Sequence, residues 1–430
     1  MKKILSSDIV LKTIGVLLVS VFLIPREYNI RYSFLSFSIT DIILLITIMS
    51  FFITKIRDIR TILKDKINIF IIVYVGYLLF IAALKILSGE ISNKHLFLRD
   101  FYQYLTIIVF FIFYNVRIDT NKDLFRIVKL IFILYLLISI VTVSVSEIPF
   151  FQKLYIQQFV FYKDFGIKMG YRFQLSTPFV GGIFRPSDLI GGFGNVASAS
   201  IVCLPLFYAL KDELEKIISP ILLFIAFIFM FLAVFYLMSK SNIIALLCSF
   251  LILLKIKRKV SYILILAPIL LVISYCMGIT KNIILRFSMI FSDSDRIAIY
   301  SKVIDEIKNN LIIGSGFGAV IKIDVFKEPL FNTYDSLYLE MLVKIGLIGT
   351  VMFVGFMVYL IAKGIKYLKD TDCSANSLEY SFVLGVISMF PGFLLMGMVA
   401  FLMSSISFNI FFWFILGIYA RIINNSKNTY

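Results

Sequence analysis

Runs of about 16 to 25 almost wholly apolar residues follow one another along the chain, each near the roughly 20 residues that a helix needs to cross about 30 Å of hydrocarbon. They fall at about 9–24, 36–54, 67–87, 101–116, 125–146, 190–210, 217–238, 241–256, 260–279, 337–362, 381–403 and 406–420. A chain of 430 residues that is 60% hydrophobic and only 16% charged cannot hide this much apolar surface in one water-soluble core. The surplus has to face lipid, where every backbone polar group must be satisfied within the chain itself. The fold class that follows is an all-α polytopic membrane protein with about 12 transmembrane helices. Between the seventh and eighth runs only Ser239-Lys240-Ser241-Asn242 intervenes, so this is the least marked of the boundaries.

Net charge is +16, a balance that in a soluble protein would raise nucleic acid as a partner. Here the cations gather in short clusters between apolar runs, which is a topology signal, so no nucleic-acid partner is expected. Lys2 and Lys3; Lys55, Arg57, Arg60, Lys64 and Lys66; Arg117, Lys122, Arg126 and Lys129; Lys255, Lys257, Arg258 and Lys259; and Lys363, Lys366 and Lys369 all fall on one side. By the positive-inside rule that side is cytoplasmic and both termini lie inside. The remaining short connections carry few charges, among them Arg26, Arg31, Lys94, Arg99 and Lys240. The basic start Met1-Lys2-Lys3 runs into an apolar stretch with no small-residue cleavage site, so the first span is expected to stay.

This alternation divides the chain into a five-helix region (1–148), a first long outer loop (149–189), a four-helix region (190–279), a second long outer loop (280–336) and a three-helix region (337–430). The first loop is basic and aromatic, with Lys153, Lys163, Lys168, Arg172 and Arg185 against Asp164 and Asp188. Its rings favour the headgroup layer. The second loop has seven basic and seven acidic residues. Within it, Ile297, Tyr300, Val303, Ile304 and Ile307 share one helical face, Asp293, Ser294 or Asp295 can cap the start, and Gly314-Ser-Gly-Phe-Gly318 ends the helix. An amphipathic helix parallel to the membrane is expected there, with membrane lipid as a neighbour.

The four cysteines, Cys203, Cys248, Cys276 and Cys373, have no CxxC spacing, and the chain has one histidine, His95. Neither a disulfide framework nor a metal site is indicated, and the scattered acids lack the spacing of a magnesium or calcium site. No cofactor is expected.

Three segments stand out against the apolar background. Arg185-Pro-Ser-Asp-Leu-Ile-Gly-Gly-Phe-Gly-Asn195 runs from the first long loop into a span; its glycines admit a ligand close to the backbone or, more plainly, close helix packing. Ser239-Lys240-Ser241-Asn242 puts a cation at an outer boundary, which a snorkelling lysine also explains. The stretch from Ser292 to Gly318 is followed by Phe331-Asn332-Thr333-Tyr334-Asp335-Ser336 and by Glu340, which with Lys344 can form a helical ion pair.

Taken together these segments resemble the O-antigen polymerase and O-antigen ligase superfamily of bacterial surface-polysaccharide assembly. The resemblance covers roughly residues 180 to 355. It rests on Arg185 with Gly192-Phe-Gly-Asn195 and Ala197, on Ser239-Lys240, on Arg296 leading a helix that ends at Gly314-Ser-Gly316, on Phe331-Asn332-Thr333 and on Gly346-Leu-Ile-Gly349. Each motif is degenerate, and their order along the chain is the stronger signal. Ligases of this superfamily resemble each other in a histidine just before that asparagine; this chain has Phe331 there, which leaves the polymerase reading ahead.

The resemblance implies transfer of an undecaprenyl-pyrophosphate-linked oligosaccharide to the terminal sugar of another lipid-linked repeat unit, outside the cytoplasm at the bacterial inner membrane. Charge then builds on a pyrophosphate leaving group, which suits guanidinium groups. The candidates for that chemistry are Arg185, Arg286 and Arg296, with Arg172 and Lys240 in support. Asp335, Glu340 or Asp188 are the candidate bases, and Asn195, Asn332 and Tyr334 the further candidate substrate contacts. A chain-length regulator protein is a further partner the family implies. Two rivals are a flippase of the same lipid-linked units and a structural scaffold. Flippases place charges within their spans around a cavity, whereas these spans are nearly free of charge.

Overall fold

The computed structural model describes residues 2–23, 29–32, 35–55, 62–89, 91, 94–116, 121–153, 179–180, 183–184, 196–236, 240–257, 294–319, 321–322, 330–331, 336–371, 378–399 and 405–425. Within them the chain runs α1 (Lys2–Leu23), a hairpin of β1 (Asn29–Tyr32) and β2 (Leu35–Ser38), α2 (Ile39–Lys55), α3 (Lys66–Leu87), α4 (Lys94–Leu105), α5 (Ile107–Asn115) and α6 (Asn121–Glu147). It continues with the two-residue strands β3 (Phe179–Val180) and β4 (Ile183–Phe184), then α7 (Val196–Ala209), α8 (Lys211–Leu214), α9 (Pro220–Tyr236), α10 (Lys240–Lys257) and α11 (Ser294–Asn309). A pair of strands, β5 (Ile321–Lys322) and β6 (Leu330–Phe331), precedes α12 (Leu337–Asp370), α13 (Leu378–Val399) and α14 (Ile406–Asn425).

Among the described residues six helices are long and apolar enough to cross a membrane, and the chain is a multi-pass α-helical membrane protein. Helix lies within every expected apolar run except 260–279, which like 190–195 lies outside the described residues; residues 36–38 belong to β2. One shifted boundary bears on the site. The apolar pattern starts the fourth run at 101, but helix begins at Lys94, so His95 sits in the first turn of α4 rather than in a connection. Lys94, His95, Arg99 and Asp100 lower the hydropathy of those turns, while Phe97, Phe101 and Tyr104, three and four apart, give them an apolar face to bury.

Polar side chains fix several helix starts. Ser38 and Asp41 form a reciprocal cap on α2, with Asp41 N–H donating to Ser38 Oγ at 3.2 Å and Ser38 N–H to Asp41 Oδ2 at 2.8 Å. Asp65 caps α3 by accepting from the N–H groups of Ile67 and Asn68. Ser336 caps α12 by accepting from the Leu339 N–H.

α14 is the inner helix: 89% of its apolar window is buried, against 39% for α3. α14 packs on α5, α13 receives α7 and α10, α6 packs on α9, and α12 lies against α3 and α13. On α3 the exposed Ile69, Ile72, Val73, Leu79 and Phe80 form a stripe opposite the buried Ile71, Tyr74, Leu78 and Ile81. That pattern suits a helix with lipid on one side and protein on the other.

Polar networks sit at opposite ends of α3. At its start, Tyr114 donates to Asp65 Oδ2 at 2.9 Å, Asn424 donates to Tyr114 Oη at 2.6 Å, and the amides of Asn68 and Asn115 pair at 2.8 and 3.0 Å. These contacts bring the start of α3 and the C-terminal ends of α5 and α14 to one level. The far end of α3 carries Lys85, which lies against Gly316.

Candidate functional site

α12 is the longest helix among the described residues, about 50 Å at 1.5 Å per residue, which exceeds a hydrocarbon core of about 30 Å. Its first turn carries Glu340, and Lys344 follows one turn on, four residues away; both are buried. They form the ion pair that their spacing allows, but Lys344 does not serve Glu340 alone. Its Nζ is also 2.9 Å from Asp100 Oδ2 on α4. Asp100 is itself buried and takes Arg99 Nη2 at 3.5 Å on its other oxygen. Two cations therefore face two carboxylates, and a lysine ammonium holds the position between the acids. Buried charges survive only when paired in this way. Glu340 Oε2 has no hydrogen-bond partner among the described residues.

The segment after α11 closes over this cluster. The Gly318 N–H donates to Asp100 Oδ2 at 3.1 Å. The neighbouring Phe317 is buried, its ring centroid 5.4 Å from Phe101, 5.6 Å from Tyr104 and 6.3 Å from Phe97. Residues 97, 100, 101 and 104 thus form one face of α4 that receives Phe317 and the amide beside it. Lys85 lies over Gly316: a Cβ built there would come within 3.2 Å of its Cδ.

A second junction joins the same segment to α12. Gly346 interrupts that helix with φ 63° and ψ −172°. The break frees backbone groups that cannot stay unpaired, and residues 311–315 take them up. Leu347 N–H donates to Leu311 O at 2.8 Å, Ile348 N–H to Ile312 O at 3.3 Å, and Ser315 N–H to Val343 O at 2.6 Å. Tyr77 Oη donates to Ile345 O at 2.8 Å from α3. Gly314 (φ 82°) meets Gly346 backbone to backbone, and a Cβ on Gly314 would lie 2.6 Å from the Gly346 nitrogen. The motifs Gly314-Ser-Gly316 and Gly346-Leu-Ile-Gly349, separate in the sequence, are one structural unit.

α11 spans the expected amphipathic helix, but part of its apolar face meets protein. Val303 is buried against Val343, with Tyr300, Ile307 and Leu339 packed around them. Ile304 is exposed, as are Leu311, Ile312 and Ile313 at the tip of the following turn and Leu347 and Ile348 beside them. Deeper in the bundle Tyr74, Gln103, Tyr104, Phe353 and Trp413 line a cavity with room for about one water molecule, too small for a sugar ring.

Among the candidate residues, Glu340 is the one whose side chain is described, and it stands at the centre of the cluster. Arg296 is the third residue of α11 and Lys240 the first of α10, with only their backbone described. Arg172, Arg185, Asp188, Asn195, Arg286, Asn332, Tyr334 and Asp335 lie outside the described residues. Sequence reasoning missed Asp100, Arg99 and Phe317. Their available signal was an acid on the aromatic face of a helix, together with an aromatic residue set between two glycines.

No curated protein matches the chain. Residues 225–354 match the family model described as O-antigen ligase, a stretch that contains α10, α11, both glycine junctions, Glu340 and Lys344.

Proposed function

We propose that the chain is a repeat-unit polymerase of the inner membrane, with both termini in the cytoplasm and its long loops outside. It transfers the growing undecaprenyl-pyrophosphate-linked glycan to the terminal sugar of a new lipid-linked unit. The observation that carries this reading is the buried Glu340–Lys344–Asp100 cluster beneath the Gly314–Gly318 turn, within and beside the family-matched stretch. A carboxylate whose second oxygen has no partner among the described residues, close under an outer loop, suits a base for a sugar hydroxyl.

In the reaction the acceptor hydroxyl oxygen attacks the anomeric carbon of the donor glycan, and its proton passes to the Glu340 carboxylate. The bond from that carbon to the pyrophosphate oxygen breaks, and the lipid pyrophosphate leaves with the electron pair. Guanidinium groups at Arg185, Arg286 and Arg296 take up the charge that develops there. Asp335 and Asp188 are the other candidate bases, and Arg172, Lys240, Asn195, Asn332 and Tyr334 the further substrate contacts. The membrane lipid and a chain-length regulator are its proposed neighbours.

A ligase reading, in which the glycan passes to a lipid A-core acceptor, is favoured by the match of residues 225–354 to the O-antigen ligase family. Phe331 at the place of the ligases' histidine favours the polymerase. A deletion strain separates them. A surface glycan with one repeat unit means polymerase; polymer stranded on its lipid carrier means ligase. Within the polymerase, Arg185→Ala and Arg296→Ala should each abolish polymer while the protein stays in the membrane, and Lys at either position should rescue poorly. Ladder-like polysaccharide from either Ala variant would sink the phosphate-clamp assignment.

A further inference from the structure

We infer that Asp100, which lies outside the family-matched residues, is a positioning residue: its carboxylate latches the outer turn Gly314–Gly318 onto α4 and holds Lys344 in place against Glu340. The catalytic half of this inference rests on the polymerase reading; the mechanical half does not.

Asp100 Oδ2 accepts from the Gly318 N–H at 3.1 Å and faces Lys344 Nζ at 2.9 Å, so a single atom joins α4, α12 and the turn between them. Arg99 on the other oxygen, at 3.5 Å, draws the carboxylate toward the partly exposed rim. The turn is also attached through the Phe317 ring on α4 and the backbone bonds of residues 311–315 to the Gly346 break. Neither attachment uses the Lys344 ammonium. Asp100 is the described link that couples where the turn sits to how Lys344 shares itself between two acids. Without that carboxylate Lys344 keeps Glu340 as its described acidic partner, and the turn loses the acceptor for its last amide. A base held more tightly by its lysine, under a turn that has shifted, transfers sugar more slowly even though no reacting group has been removed. Displacement of a site by about 1 Å costs on the order of 100-fold in rate.

The test compares Asp100→Asn, Asp100→Ala and Asp100→Glu in the full-length protein, purified in detergent and reconstituted in vesicles. Hydrogen exchange on the resting protein reads the turn: peptides covering 311–319 should exchange about 10-fold faster or more in Asn and Ala, with α14 unchanged. Asp100→Asn keeps the side-chain volume and serves if the Ala variant fails to fold. Transfer between undecaprenyl-pyrophosphate-linked units should show kcat lowered about 100-fold, KM little changed, and partial recovery with Glu, which restores the charge. Wild-type protection of 311–319 in both Asn and Ala overturns the latch. A released turn with wild-type kcat overturns the positioning role. A wild-type protein that transfers nothing sinks the polymerase reading instead, and the exchange measurement still decides the latch.

Discussion

Lys344 is the charge on which its neighbours depend, because it stands between Glu340 and Asp100 with all three side chains buried. Removing it leaves two carboxylates out of water with Arg99 as the described cation beside them. Lys344→Met should therefore destabilise the protein by about 3–5 kcal/mol, read as a lower denaturation midpoint of the detergent-solubilised protein. Glu340→Gln has a different expected signature. The amide keeps an oxygen toward Lys344 and fills the same volume, so the midpoint should move far less than for Lys344→Met, while transfer falls about 10²- to 10⁴-fold with the loss of the base. Equal loss of stability in both variants, with transfer surviving in the glutamine protein, would make Glu340 a structural partner and nothing more. The i, i+4 spacing made the Glu340–Lys344 pair legible in the sequence. The third member was not, because Asp100 lies far away in the chain and nothing local marks which helix faces α12.

At the scale of elements, the break at Gly346 decides how the segment after α11 is mounted. Residues 345–349 read as part of one apolar helix, and only the paired glycines Gly346 and Gly349 hint otherwise. The break exists because residues 311–315 supply partners for the backbone groups it exposes, a tertiary compensation that no local pattern records. A side chain at 346 meets both obstacles at once: φ is 63°, and a Cβ would be driven into the backbone of Ile312, Ile313 and Gly314. Gly346→Ala should then cost at least the roughly 1–3 kcal/mol of a strained backbone position, and hydrogen exchange at Leu347 and Ile348 should accelerate. Gly355, on the same helix, gives the control: a Cβ there would meet nothing within 4 Å, so alanine should be tolerated. Phe317→Ala tests the other attachment. It removes a ring enclosed by Phe97, Phe101 and Tyr104, a change that costs about 3–5 kcal/mol in a well-packed site. Part of that loss should show as release of 311–319 rather than as global unfolding. The helical face of α11 was legible from its period, but its burial against Val343 was not, since an apolar face at an interface reads the same whether lipid or protein covers it.

For the whole molecule, the positions of the helices were legible because hydrocarbon thickness fixes their length, and the charge-poor runs reveal themselves without reference to one another. How they pack was not. α14 is the most enclosed of the candidate spans, yet its sequence is no more apolar than that of α3, which carries a stripe of exposed residues. The structure adds a relation between ends that single-span reasoning lacks. Asp65, Tyr114, Asn115 and Asn424 meet at the start of α3, whereas Lys85 at its other end lies by Gly316, above Asp100 and Lys344. If the Asp65 end is cytoplasmic, the ion cluster and α11 lie outside. The positive-inside rule predicts that orientation, since Lys363, Lys366 and Lys369 close α12 on the side away from Glu340. Labelling tests this directly. In a variant with the four native cysteines replaced, Lys308→Cys stands on an exposed stretch of α11 and Lys366→Cys on an exposed stretch of α12. A membrane-impermeant maleimide added to intact spheroplasts should modify position 308 at once and position 366 only after the membrane is permeabilised. The opposite pattern would turn the molecule over and put the cluster on the cytoplasmic face. Lipid-linked repeat units awaiting polymerisation could not reach Glu340 there, and the polymerase reading would fall with the orientation.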